Sequence, residues 1–237
     1  MNSGKSTYSS ASGASSDAVY AKHESQIAEP QLRSLHQPIA IHPEYIAHKP
    51  TKIIISQHEY TSLGRDYTIR DANDEILYVV KADSLSWSQR RSFEDASGHP
   101  LFTLRRRIMS KKRHWYLDKP GEDLSGLMKA NIHWSFTLGL TFTVQNAAAG
   151  GAETQIELME IGPHGRKASI SANGVDLAII NRTAPDGSNG DNLSERASFK
   201  RRPFWTIHIA EGMDVSLVAV MGVICAEHFP EYHFSIS

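Results

Sequence analysis

The hydrophobic pattern of this chain changes near the C-terminus from alternation to an uninterrupted apolar run. Between residues 215 and 226 only Ser216 and Gly222 are not apolar. The run predicts one helix, with Asp214 as its N-cap and the proline-containing segment 227–230 as its end. A helix without a polar face must be surrounded by protein or lipid, and this one rises only about 18 Å, short of the roughly 30 Å of a bilayer core. We therefore expect the helix to be buried inside the protein.

Upstream of this helix, from residue 51 to 210, the hydrophobic pattern has a period of two. In the clearest run, 132–145, large apolar residues alternate with polar residues or glycine without a break. That pattern predicts a strand with one buried face and one polar face, and its length predicts a bend at Gly139. The other predicted strands are 52–56, 67–70, 75–81, 87–94, 101–107, 113–117, 154–161, 167–171, 176–182, 204–210 and 232–236.

Three predicted turns share one sequence pattern. Segments 71–77, 95–101 and 171–177 each have Ala at the second position and Leu at the seventh, with small polar residues between them. Such residues supply the positive φ that tight turns need. A closed barrel surrounds an all-apolar helix and leaves no strand edge exposed. The sequence therefore predicts a mainly β fold, a closed antiparallel β-barrel of about twelve strands around a central buried C-terminal α-helix.

Composition separates an N-terminal head from this barrel. Residues 1–34 are rich in Ser, Ala and Gly, so we expect a disordered head followed by a single domain over 35–237. The net charge of −1 and the apolar fraction of 40% are ordinary for a globular protein and identify no partner. The single cysteine, Cys225, lies in the predicted helix, which is typical of a reducing compartment. We expect an intracellular, cytoplasmic protein without a transmembrane span.

Catalytic and metal-binding patterns are weak in this sequence. There is no Gly-x-Ser-x-Gly elbow and no His-Glu-x-x-His motif. The spacing of Asp71, Asn73 and Glu75 is similar to the start of a calcium loop, but the sixth position is not Gly and the twelfth, Ala82, is not an acid. We therefore expect no enzymatic activity, no cofactor and no metal.

The strongest charge feature is a basic hairpin. Segment 85–119 contains nine Lys or Arg residues against three Asp or Glu. Alternation predicts that the first and third cations of its arginine run share the polar face, whereas the second follows the apolar register at a barrel mouth. Clustered cations favour anionic lipid headgroups by about 1 kcal/mol each. The candidate ligand-binding residues are Arg105, Arg106, Arg107, Lys111, Lys112 and Arg113.

An ordered set of motifs resembles the LURP-one-related proteins. The set consists of the strand-turn-strand segments 67–81 and 93–107, Trp115 a few residues on, and the Gly212-x-Asp214 entry to the apolar run. The resemblance covers about residues 50–230. It implies the Tubby C-terminal-like fold, which Tubby proteins and phospholipid scramblases share. Because Tubby domains bind phosphoinositides, it also implies an anionic lipid as the kind of ligand.

Three functions remain open at this point. The first is a non-enzymatic Tubby-like binding module that docks on anionic phospholipid or phosphoinositide through the basic hairpin, at the periphery of membranes. The second is a lipid-handling protein of scramblase type, although the expected acylated cysteine cluster and calcium-loop acids are missing. The third is a structural protein-interaction adaptor without a lipid ligand. Nucleic acid is disfavoured as a partner because aromatic residues are not interleaved with the cations.

Overall fold

The computed structural model describes residues 30–58, 66–83, 86, 89–107, 114–134, 138–161, 167–183 and 204–228. Twelve strands form a closed antiparallel barrel in which each strand pairs with the next along the chain and the last pairs with the first. The elements are β1 (Thr51–Gln57), β2 (Tyr67–Asp71), β3 (Ile76–Ala82), β4 (Arg91–Asp95), β5 (Pro100–Arg107), β6 (His114–Asp118), β7 (Met128–Trp134), β8 (Leu138–Asn146), β9 (Ala152–Ile161), β10 (Lys167–Ala172), β11 (Val175–Thr183), β12 (Phe204–Ile209) and α1 (Val215–His228).

The helix α1 forms the centre of the barrel, as the sequence predicts. Thirteen of its residues are buried, and the nine of them with apolar side chains belong to one hydrophobic core with inward-facing side chains of the strands. Cys225 is a free, fully buried thiol, and burial raises the pKa of that thiol. The expected fold, a closed barrel around a buried C-terminal helix, is confirmed.

The antiparallel order gives the barrel two chemically different ends. Odd-numbered strands all finish at one end, named here the mouth, and even-numbered strands all finish at the other, named the floor. Tight turns close the floor, with positive φ at Asp74, Gly98 and Gly174, where the shared turn pattern predicts it. The helix begins at the floor, so its last residues, Glu227 and His228, lie at the mouth.

Residues 35–47, named here the strap, cover the floor. The strap is bound to the segment before α1 by backbone hydrogen bonds: Ile39 N–H donates to Gly212 O at 3.1 Å, and Ala47 N–H donates to Met213 O at 2.8 Å. Asn146 fixes its middle by accepting the N–H of Ala40 at 3.0 Å. The strap therefore adds a backbone layer below the helix without being a strand of the barrel.

A single carboxylate joins the strap to the helix. Asp214 Oδ1 accepts the N–H groups of Ser216 and Leu217 at 2.8 and 3.1 Å and the Ser216 hydroxyl at 2.6 Å. Its Oδ2 accepts the N–H groups of Ile41 and His42 at 3.0 and 2.9 Å. The residue is fully buried, and burial raises the pKa of its carboxyl while these donors oppose the rise. Asp214 is therefore the predicted N-cap and also the anchor of the strap.

Close contact between α1 and two strands depends on a glycine. A Cβ atom on Gly222 would lie 2.5 Å from Ile207 Cδ1 and 2.6 Å from Ile55 Cδ1. Both isoleucines are fully buried, so neither methyl group can move away into solvent. The glycine therefore lets α1 pack directly against β1 and β12.

The prediction of one bent strand over 132–145 is wrong. The structure has two strands there, β7 and β8, which form a hairpin in which Ile132 lies opposite Leu140 and His133 opposite Gly139. Because β7 ends at residue 134 and β8 begins at 138, the even-numbered positions face inward on both strands. The alternation therefore continues through the hairpin and conceals it.

Two other sequence predictions fall on residues outside the described ranges. The predicted strand 232–236 is one of them, and most of the predicted head, 1–34, is the other. Within the described part, Ser34 donates its hydroxyl to Glu211 Oε2 at 2.8 Å, and Leu35 N–H donates to Glu211 O at 3.0 Å. The chain is thus already attached to the floor at residue 34, and disorder of the head stays a prediction.

The Asp214 anchor gives a first testable prediction. In Asp214→Asn one oxygen becomes an NH2 group that faces backbone N–H donors, which leaves buried donors unsatisfied. We expect a loss of about 2–4 kcal/mol in the free energy of unfolding, measured by urea denaturation. The exposed Asp176→Asn serves as the control and should change stability by less than about 0.5 kcal/mol. Equal stability of the two variants would contradict the anchoring role.

Gly222 gives a second prediction. Replacement by Ala gains about 1 kcal/mol of helix propensity, but overpacking against two buried isoleucines costs about 1–3 kcal/mol. We expect net destabilisation, and we expect Ile55→Val combined with Ile207→Val to reduce the cost of Gly222→Ala. The measurement is a thermodynamic cycle from urea unfolding curves. A Gly222→Ala variant that is more stable than the parent protein would show that the contact is not tight.

Candidate functional site

The predicted basic hairpin is formed by β5 and β6 at the mouth. Arg105 pairs in register with Tyr116, and Arg107 pairs with His114. The end of β5, the start of β6 and the connection between them therefore lie at the mouth. The remaining predicted cations, Lys111, Lys112 and Arg113, belong to that connection and lie outside the described residues, as does the side chain of Arg107.

Arg105 is bound to the barrel itself. Its Nε donates to Asp118 Oδ2 at 2.7 Å, and its guanidinium lies 4.7 Å from the centroid of the Tyr116 ring. The Arg105 side chain is 14% exposed and that of Asp118 is fully buried. Asp118 also accepts the N–H of Gly126 at 3.1 Å. These contacts fix the hairpin to the loop that follows β6 and neutralise the charge of Arg105.

Arg106 lies at the mouth in the inward register, opposite Trp115, in line with the alternation of the sequence. Its guanidinium is 5.7 Å from the centroid of the Trp115 ring, and its Nη1 donates to Gln89 Oε1 at 3.2 Å. The side chain is half-buried. Arg106 therefore packs on the rim of the barrel.

A polar cluster at the C-terminal end of α1 was missed by the sequence reasoning. Glu227 Oε1 lies 2.8 Å from Arg91 Nη2, with both side chains at most 9% exposed, and it also accepts the Tyr67 hydroxyl. Beside it, Trp115 Nε1 donates to His228 Nε2 at 2.9 Å. Since an indole N–H can only donate, this nitrogen of His228 is an acceptor and the imidazole is neutral.

The cluster ties the end of the helix to three strands, because Tyr67, Arg91 and Trp115 come from β2, β4 and β6. The sequence contains only a weak signal for this polar cluster. Arg91 shares the inward register with Phe93, and Glu227 and His228 follow the apolar run directly, which is the usual position of a helix end. Their pairing is long-range and has no local pattern.

The segment that is similar to the start of a calcium loop is a turn whose N–H groups are bound by the carboxylate of its first residue, Asp71. Asp71 Oδ1 accepts the N–H groups of Asn73 and Glu75 at 2.8 and 2.9 Å. The turn at Asp95 is built in the same way, with the N–H groups of Ser97 and His99 as donors. Within the described ranges no group of three or more His, Cys, Asp or Glu side chains could hold a metal ion.

Among the described residues, no helix has both the length and the apolar character needed to cross a membrane.

The fold defines the class of the protein, because a closed twelve-stranded barrel around a central helix is the Tubby C-terminal-like architecture. The X-ray structure of an Arabidopsis thaliana protein has this fold, with a TM-score of 0.53 and 16% identity, over 80% of this chain and 98% of that chain. At this identity the likeness shows the fold alone.

The family follows from the sequence match. The LURP-one-related family model matches residues 51–226, which is more than half of the chain, so this chain belongs to the LURP-one-related family. It is similar to Protein LURP-one-related 15 of Arabidopsis thaliana, with 26% identity over 83 residues, 35% of this chain and 38% of that protein. The match thus spans less than two thirds of that relative. The strap lies before the residues that the family model matches.

The buried ion pair gives a third prediction. Glu227→Ala leaves the buried guanidinium of Arg91 without its carboxylate partner. We therefore expect a loss of about 3–5 kcal/mol in the free energy of unfolding. Replacing both partners, with Arg91→Met and Glu227→Leu, should recover most of that loss. The more exposed pair of Lys81 and Glu94 is the control, since Lys81→Ala should cost at most about 1 kcal/mol. Similar losses for Glu227→Ala and Lys81→Ala in urea unfolding would contradict the burial of the first pair.

Proposed function

We propose that this LURP-one-related protein is a non-enzymatic binding domain that docks on anionic phospholipid, phosphoinositides included, through the tip of the β5–β6 hairpin. The observation that carries the proposal is that the first two arginines of the hairpin are engaged in contacts within the protein. Arg105 is neutralised by Asp118, and Arg106 packs on Trp115. They give the hairpin a rigid base, which supports assigning lipid contact to the residues beyond them.

The composition of the tip supports a membrane ligand. Segment 107–113 reads Arg-Ile-Met-Ser-Lys-Lys-Arg, with four cations, no acid and two adjacent large apolar residues. Cations near an anionic leaflet contribute about 1 kcal/mol each, and apolar side chains can enter the boundary of the acyl chains. Four cations then supply on the order of 4 kcal/mol, enough for reversible peripheral binding.

The proposed lipid ligand also indicates where in the cell the protein acts. Anionic lipids are concentrated in the cytoplasmic leaflet, so this function requires an intracellular protein at the periphery of membranes. A scramblase-type activity would depend on calcium, whereas charge-driven docking would not. Calcium dependence therefore separates the proposal from that alternative.

The fourth prediction tests lipid docking. Charge reversal of the tip, with Arg107, Lys111, Lys112 and Arg113 all changed to Glu, should abolish flotation with phosphoinositide-containing liposomes at low salt. The parent protein should float equally well with and without calcium, and it should lose binding as salt rises, because exposed charges are screened first. The fold should persist, since exposed charges contribute about 0–1 kcal/mol each.

The matched control reverses four exposed cations elsewhere and produces the same change in net charge. Arg33, Lys49, Lys119 and Lys129 are exposed in the structure, and their conversion to Glu should leave much of the flotation intact. Failure of the parent protein to float at low salt would refute lipid docking. An equal loss in both variants would show that binding depends on net charge alone.

A further inference from the structure

An open cleft lies at the floor, at the opposite end of the barrel from the basic hairpin. It has a volume of about 370 Å³ and lies between the strap, the start of β3 and the turn that follows β4. Its walls include Tyr45 from the strap, Ile76 and Tyr78 from β3, and Asp95 at the end of β4. No function assigned above uses this surface.

The walls of the cleft are aromatic and apolar. The rings of Tyr45 and Tyr78 meet edge-on, with centroids 6.0 Å apart. Ile76 is 41% exposed and adds an apolar surface to the cleft. Tyr78 lies in register opposite Asp95, so a carboxylate borders the aromatic pair. Such a surface can hold the aliphatic stem of a long side chain and its charged end together.

Acidic residues are frequent in the segments that form the cleft or adjoin it. The strap turn 42–45 and the segments 70–76 and 94–99 together carry six carboxylates and one Arg or Lys side chain, Arg70. Arg70 is engaged by Asp74, and Glu94 is ion-paired with Lys81. The remaining four acids are Glu44, Asp71, Glu75 and Asp95, of which Asp95 lines the cleft itself.

Asp95 lines the cleft and Glu44 adjoins its wall residue Tyr45, so these two carboxylates supply negative charge there. The Ser97 hydroxyl and the backbone N–H groups of Ser97 and His99 hold the pKa of Asp95 below its ordinary value. The pKa of the Tyr45 hydroxyl is raised, first by burial and then by the carboxylates of Asp95, Glu44 and Asp214. The Tyr45 phenol therefore lies near the carboxylates of Asp95 and Glu44.

We propose that the floor cleft is a docking site for an extended basic segment of a partner protein. An arginine of that segment lies against Tyr45 and Tyr78 and pairs with Asp95 and Glu44. Guanidinium groups are attracted to aromatic faces and to carboxylates at once, and Ile76 supplies an apolar contact for the stem. Anionic lipids and nucleic acids are repelled by the same rim, so a basic peptide is the occupant that its charge favours. The proposal is independent of lipid docking.

The fifth prediction uses two blocked pentapeptides as probes, Ac-Ala-Arg-Ala-Arg-Ala-NH2 and the same peptide with Gln in place of Arg. In two-dimensional NMR titrations the arginine peptide should shift amide signals of Ile76, Tyr78 and Ser97 at the cleft. The glutamine peptide should bind about tenfold more weakly, because it lacks the charge that pairs with Asp95 and Glu44. Equal binding of the two peptides, or shifts confined to other surfaces, would overturn the proposal.

A matched pair of variants tests the named acids. Glu44→Gln with Asp95→Asn removes two charges, and the Asn Oδ1 can still accept the turn N–H groups. Glu153→Gln with Glu157→Gln changes the net charge equally on the exposed face of β9. We expect about a tenfold loss of affinity for the arginine peptide in the first variant only, with liposome flotation unchanged in both.

Two outcomes with these variants would overturn the proposal. If Glu44→Gln with Asp95→Asn binds the arginine peptide like the parent protein, the acids do not form the site. If the parent protein self-associates in analytical ultracentrifugation and the same variant does not, the cleft is occupied by a second copy of this chain rather than by a partner.

Discussion

The fold depends on satisfying the exposed N–H groups of a helix that begins in a dry environment. The first turn of any α-helix has N–H groups without helical partners, and water cannot reach those of α1. Asp214 supplies acceptors for this turn and for the strap with one carboxylate. The floor is therefore closed by the same group that starts the helix, and the cleft between strap and turns exists because the strap is held there.

The other end of the helix shows the opposite arrangement. Glu227 places an acid at a helix C-terminus, where the macrodipole disfavours negative charge, and it does so in a buried position. Arg91 and Tyr67 compensate for both costs, while His228 stays neutral because it accepts from Trp115. Buried polar groups thus fix both ends of α1, about 21 Å apart along its 14 residues.

The sequence predicted the features that local patterns determine. An all-apolar run with an aspartate before it predicted α1 and its cap, and period-two alternation predicted the barrel. What it could not predict depends on long-range pairing: the strap has no periodicity and bonds to residues 211–214, and Arg91 meets Glu227 only after the barrel closes. The basic cluster is visible in the sequence, but only the folded structure shows that Arg105 pairs with Asp118. The β7–β8 hairpin was concealed because its connection preserves the parity of inward positions.

The net charge of −1 conceals a separation of charge along the barrel axis. Cations are concentrated in the sequence of the hairpin whose strands end at the mouth, and carboxylates are frequent in the segments that form the cleft at the floor. In the proposed lipid-bound state the mouth faces the anionic surface, so the floor cleft at the opposite end points toward solvent, where the proposed basic partner can reach it. The two proposed interactions are therefore compatible in one molecule, because they use opposite ends of the barrel.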